Sequence, residues 1–198
     1  MTWTPTIEVK SNQGTREISL RSHLLSQRTI LLTEEITDET AVTFLTELSC
    51  RKESDEPVRI LINSMGGSVS AGLMIYDLIH ARPCPMDLYC AGTAASMAAI
   101  LLAAGPKGHR FILPHSTTMI HEPQIADCAF GGSASSIRNL SDKLMQMKDL
   151  TNQILAECTG RPIREINKAT AYDHFMNAQE SVEFGICDEV VEDIFRRV

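Results

Sequence analysis

The chain has 198 residues, 25 of them acidic and 18 basic, for a net charge of −7 with histidine neutral. That length suffices for one domain with a sizeable core, and the acidic balance argues against nucleic acid or an anionic membrane surface as the main partner. Cys50, Cys84, Cys90, Cys128, Cys158 and Cys187 are scattered, with no C-x-x-C and no Cys/His pair at metal-ligand spacing. We read them as reduced thiols of a cytoplasmic protein. No apolar run is long enough to span a bilayer, and the N-terminus lacks the basic-then-apolar pattern of a signal peptide.

In chain order, residues 1–21 are polar and weakly patterned, and Asn12-Gln13-Gly14 predicts the turn of an N-terminal arm or hairpin. Leu24 and Leu25 are expected to enter the core, and Thr29–Leu32 reads as a short strand. Thr37 is a candidate N-cap for a helix over Asp38 to Cys50, with Val42, Leu45 and Leu48 as its apolar stripe. Val58–Ile62 is a predicted strand, Asn63 to Gly67 a tight turn, and Ser68–Ala81 a helix stopped by Pro83 and Pro85. A further strand, Met86–Ala91, is expected to end at Gly92, with a helix of small residues reaching Gly105 and carrying Ser96 in its first turn. Arg110–Leu113 and Thr118–His121 read as strands around a Pro114-His115-Ser116 turn. Strand, glycine turn and helix in repetition predict parallel βαβ units, whose sites form at the carboxyl ends of strands. Gly66-Gly67 and Ser96 both fall at such ends.

Glu122 to Ser136 is read as loop or short strand, and then Ile137, Leu140, Leu144, Met147, Leu150 and Ile154 mark one face of a long helix. This helix is expected to project and to bury its stripe on the body or on another subunit. Pro162 opens a short helix through Lys168, Asn177 and Glu180 form a capping box for another, and Gly185 closes it.

Among residues suited to chemistry, Ser96 at a helix start lies where unpaired N–H groups could stabilise an oxyanion, although a serine among alanines also serves simply to let helices approach. His121 at a strand end is either a base or a satisfied polar residue. Asp173 is either its partner or a turn aspartate, and Gly66-Gly67 either a plain turn or one that turns an N–H toward a ligand. The remaining histidines lack metal spacing. No Walker loop and no G-x-G-x-x-G opening a helix is present.

Taken in order, Asn63-Ser-Met-Gly-Gly67, Gly92-Thr-Ala-Ala-Ser96-Met, Met119-Ile-His121-Glu-Pro123 and Tyr172-Asp173-His-Phe resemble the signature segments of the ClpP family, the proteolytic subunits of ATP-dependent Clp proteases. The resemblance runs from about Leu24 to Ile194. It implies an α/β fold of the ClpP/crotonase-like type, with repeated βαβ units and a projecting handle helix. The arm would be residues 1–21, the head 22–121 and 160–198, and the handle 122–159. It implies a serine endopeptidase with Ser96 as nucleophile, His121 as general base and Asp173 as the residue orienting it, and with the N–H groups of Gly67 and Met97 as oxyanion hole. It implies no cofactor or metal. The implied partners are a hexameric AAA+ Clp unfoldase, unfolded polypeptides, and seven-membered rings of this chain stacked into a tetradecamer, with a second paralogue in a mixed ring as an alternative. The family usually has proline where Met65 stands, an acidic residue and an arginine where Ala171 and Tyr172 stand, and aromatics in the unfoldase groove where Arg59, Leu61 and Ala81 stand. Extra residues fall near Ala126 to Gly132. These departures suggest a second paralogue, and leave a catalytically weak or structural ring subunit as the alternative. An acyl-CoA enzyme of the crotonase type shares the fold and the backbone oxyanion hole but does not need the Ser/His/Asp set.

Overall fold

The computed structural model describes residues 5–11, 14–50, 55–81, 84–124 and 133–194. The turn at Asn12-Gln13, the stop at Pro83, the extra residues at 126–132 and Cys128 lie outside them.

An antiparallel hairpin of β1 (Thr6–Ser11) and β2 (Gly14–Ser19) leads into a short helix, α1 (Leu20–Ser26). Leu24 and Leu25 are half buried on α1, and of the two Leu25 packs against the core cluster. The alternating body follows: β3 (Thr29–Leu32), α2 (Asp38–Ser49), β4 (Val58–Ser64), α3 (Val69–His80), β5 (Met86–Ala95) and α4 (Met97–Ala103). Helix α2 starts on a reciprocal cap. Thr37 Oγ1 accepts from the Thr40 N–H, and Thr40 Oγ1 accepts from the Thr37 N–H. Its inward face is Ala41, Phe44 and Leu48, in place of the predicted Val42, Leu45 and Leu48, and Val42 is 55% exposed. Steps of three alone drift around a helix of 3.6 residues per turn, whereas a three-step followed by a four-step stays on one face.

The main sheet runs β3-β4-β5-β6-β9, all parallel, with β6 (Arg110–Ile112) and β9 (Glu189–Val190) at the far side. Strand β5 is long enough to fork. Its first half, Leu88–Cys90, pairs with β6, and its second half, Thr93–Ala95, pairs with β7 (Thr117–Ile120). Strand β8 (His174–Met176) then adds antiparallel to β7.

The fork corrects the expectation that β5 ends at Gly92. Gly92 sits at φ 110° inside the strand, where the register against β4 shifts between Ile62 and Ser64. A glycine here marks a bulge. Its N–H donates to Ser116 Oγ at 2.8 Å, and the next N–H, of Thr93, donates to Asn63 Oδ1 at 3.0 Å. Side chains thus replace the ladder bonds that the bulge interrupts. The strand continues to Ala95, so Ser96 is the N-cap of α4 and does not lie in its first turn.

Helix α4 is buried along its whole length. Its small residues let α3 come close, and a Cβ on Gly72 would lie 2.2 Å from Met97 Cγ. The long helix α5 (Ala134–Thr159) packs its last turns on α4 and on α6 (Ile163–Ala169), burying Ile154 and Leu155. Of the predicted stripe, Ile137, Leu140 and Leu150 remain exposed. Helix α7 (Ala178–Phe184) carries the expected Asn177/Glu180 capping box and ends on Gly185 in the left-handed region.

Arg110, 1% exposed, ties the helix ends together. Its guanidinium grips both carboxylate oxygens of Asp188 and donates to the carbonyls of Ala103, Cys158 and Gly185. Burial alone would raise the Asp188 carboxyl, but the Arg110 hydrogen bond and charge, with the Gly108 and Arg110 N–H groups, hold it below its ordinary value.

Candidate active site

Topology brings together side chains far apart in sequence. Strands β5 and β7 are parallel with Ala95 opposite Met119, so Ser96 and His121 emerge at one edge. Strand β8 runs the other way with His174 opposite Ile120, so Asp173, just before it, comes to the same edge. His121 Nε2 lies 2.8 Å from Ser96 Oγ, a hydrogen bond. His121 Nδ1 lies 3.4 Å from Asp173 Oδ1. That separation falls outside hydrogen-bond geometry, and among the described residues Nδ1, though buried, has no hydrogen-bond partner. The imidazole is 15% exposed and the Asp173 carboxylate 54%.

Ser96 adopts φ 54°, ψ −124°, a backbone region that L-residues avoid. Such a conformation costs about 1–3 kcal/mol and persists only where its surroundings over-determine it. Here the Ser96 N–H donates to Met119 O at 2.8 Å, and Gly66 packs directly on the turn. The result is a sharp strand-to-helix turn that keeps the hydroxyl from capping its own helix.

The glycine turn is pinned by the segment before α2. Ile36 N–H donates to Gly66 O at 2.8 Å, and Ser68 N–H to Ile36 O at 2.7 Å. A Cβ on Gly66, at φ 93°, would lie 2.8 Å from Ser96 Cβ and 3.0 Å from Met97 N. Gly66, the Met97 N–H and the serine are therefore neighbours, and Gly67 follows in the chain with its Cβ position against the Ile36 backbone. As the first residue of α4, Met97 has no intrahelical acceptor for its N–H. A cleft of about 520 Å³ borders this turn, lined among others by Glu34, Glu35, Asn63, Met65 and Thr93. The arrangement can activate a hydroxyl through an imidazole and offer amide hydrogens to a developing negative charge.

Sequence reasoning missed Asn63 and Ser116, whose side chains hold the bulge that carries β5 on to Ser96. The signal available was Gly92 itself, a glycine within an apolar run. Among the described residues no three His, Cys, Asp or Glu side chains gather as metal ligands, and no helix is long and apolar enough to cross a membrane.

Comparison with known proteins gives the same direction. The family described as Clp protease matches residues 12–194. The ATP-dependent Clp protease proteolytic subunit 2 of Chlamydia muridarum (strain MoPn / Nigg) is 38% identical over 193 residues, covering 96% of this chain and 94% of its own. The ATP-dependent Clp protease proteolytic subunit 1 of Chlamydia felis (strain Fe/C-56) is 37% identical over 193 residues, with the same coverage of each chain.

Proposed function

The chain belongs to the Clp protease family, and from that premise we propose that it cleaves polypeptides with Ser96 as nucleophile, His121 as general base and Asp173 as the residue orienting the imidazole. The observation that carries this reading is the 2.8 Å hydrogen bond between Ser96 Oγ and His121 Nε2. In the reaction, Nε2 takes the hydroxyl proton as Oγ attacks the scissile carbonyl carbon. The oxyanion of the tetrahedral intermediate is held by the N–H groups of Gly67 and Met97. Imidazolium then returns the proton to the departing amine, and an acyl-enzyme remains on Ser96. Water, deprotonated by His121, hydrolyses it. Loss of one oxyanion donor typically lowers the rate about 10²–10³-fold.

The same reading gives a cytoplasmic protein that works as stacked rings and receives unfolded chains from a hexameric AAA+ Clp ATPase. It divides the chain into the arm, head and handle set out above. The exposed Ile137, Leu140 and Leu150 on α5 supply an apolar face for the handle to bury between rings. A second reading, a catalytically weak subunit of a mixed ring, is favoured by the 3.4 Å gap from His121 to an exposed Asp173. Ala171 and Tyr172, the latter 85% exposed, also stand where the family has charged residues.

The test is Ser96→Ala together with a fluorophosphonate probe on the assembled wild-type protein. The proposal expects an adduct on Ser96 in the wild type and, in the variant, assembly without peptide hydrolysis. Hydrolysis retained by the variant removes Ser96 from the role. An unlabelled wild type favours the structural subunit.

A further inference from the structure

The residue after the base is held in three ways. Glu122 follows His121 in the chain. Its N–H donates to Thr170 O at 2.8 Å. Its carboxylate lies 2.5 Å from Lys148 Nζ. Lys148 belongs to α5, the long projecting helix. Thr170 is fully buried, caps α6, and stands three residues before Asp173. Glu122 is thus the point at which the base-bearing strand β7, helix α5 and the segment leading to Asp173 are joined.

Adjacent Cα atoms are fixed about 3.8 Å apart, so a shift of Glu122 carries the His121 backbone with it. Just there the structure shows slack, with His121 Nδ1 and Asp173 Oδ1 3.4 Å apart and Nδ1 otherwise unpartnered among the described residues. A movement of a few tenths of an ångström would make or break that hydrogen bond. Ala171 and Tyr172, which lie between Thr170 and Asp173, carry no charge to compete for Lys148 or Glu122. The pair is 27% and 39% exposed at its side chains, and ion pairs at such exposure contribute little to folding stability. What the pair can govern is therefore alignment.

We propose that Glu122 and Lys148 form a positioning pair which sets the reach of His121 toward Asp173 and so fixes the fraction of subunits with an aligned site. The proposal rests on the Ser96, His121 and Asp173 reading. Neither Glu122 nor Lys148 touches the reacting atoms. Each acts through the imidazole next to the first of them.

The test uses the assembled protein, a short fluorogenic peptide and the fluorophosphonate probe, on wild type, Glu122→Gln, Lys148→Met, Lys148→Arg and the charge-swapped Glu122→Lys/Lys148→Glu. Because a misplacement of a full 1 Å can cost about 10²-fold, the smaller slip here is expected to lower kcat and the probe-labelling rate about fivefold in Glu122→Gln and Lys148→Met, with KM and the melting temperature unchanged. Lys148→Arg keeps the rate, and the charge swap recovers most of it. A purely structural pair would instead move the melting temperature and leave kcat alone. Single variants within twofold of wild-type kcat, or a swap no faster than either single, overturn the positioning pair. If wild type labels on Ser96 while Glu122→Gln runs at full rate, only the pair is lost. If wild type fails to label, the parent reading falls and takes the pair with it.

Discussion

Gly66→Ala offers a test of the site in which sterics and backbone strain can be separated. Gly66 has φ 93°, and an added Cβ would lie 2.7 Å from Ala95 O, 2.8 Å from Ser96 Cβ and 3.0 Å from Met97 N. Carbon atoms settle about 3.5 Å or more apart, so Ser96 or the turn must yield by roughly 0.7 Å. A displacement of that size at a nucleophile lowers the rate by roughly 30- to 100-fold. The left-handed backbone adds about 1–2 kcal/mol of strain, a fall in melting temperature of about 2–8 °C for a chain of this size. Gly108→Ala is the control. Its φ is 83°, yet a Cβ there meets nothing within 4 Å. Both variants should lose the stability that backbone strain costs, Gly66→Ala should lose about 1–3 kcal/mol more through its clash, and only Gly66→Ala should lose peptide hydrolysis. A folded Gly66→Ala protein working within threefold of wild type would refute the placement of the nucleophile against this turn.

Other expectations follow from the buried polar groups. Arg110→Met leaves the Asp188 carboxylate without its cation and strips three carbonyls of a donor. Breaking a buried pair from one side costs about 3–5 kcal/mol, so thermal unfolding at fixed protomer concentration should fall by roughly 6–20 °C; a fall under 3 °C would contradict the clamp. Because the folded Asp188 carboxyl is held below its ordinary 3.8, its charge stabilises the fold in full above that value, and the contribution is lost as pH falls through the folded value. Denaturant midpoints should therefore drop as pH falls below about 3.8 toward the folded value, with a shallower drop in Asp188→Asn. Burial pushes the Cys90 thiol up to about 12, and the Cys187 thiol up as well, whereas Cys50 is exposed. Iodoacetamide under native conditions should modify Cys50 and spare Cys90 and Cys187 until the protein unfolds, as peptide mapping would show.

What the sequence made legible was whatever is local. The Thr37 and Asn177 caps, the strand-turn-helix alternation and the break at Gly185 depend on residues within one turn of each other, and each appears where expected. The misreadings have physical causes too. Glycine in an apolar run reads as an end, but two N–H bonds to the Ser116 and Asn63 side chains support a bulge at Gly92 and let β5 continue. The stripe predicted on α2 runs in steps of three, whereas packing selects the Ala41, Phe44 and Leu48 face. Strands β8 and β9 span three and two residues, too short for any alternation to register.

The site was visible only as letters, because what assembles it is a property of pairing. Ser96 and His121 meet since β5 is ten residues long and exhausts its pairing with β6 after three. Its remaining edge must find another strand or leave backbone groups unpaired, and β7 takes it in parallel register. Had β5 stopped at Gly92, the serine would have followed the β6 half of the sheet and the histidine would have had no edge to share with it. Strand β8 adds antiparallel to β7 only after the chain has passed through α5 and α6, and it delivers Asp173 last and least tightly. On this view the looseness of the aspartate and the strain at the serine have one origin. The fork fixes its first product, the hydroxyl, by a backbone bond to Met119 and a glycine packed beneath it. Its final product depends on contacts at the far end of a three-residue strand, which is why the register of β8, and whatever holds the chain on either side of it, decides how often the site is complete.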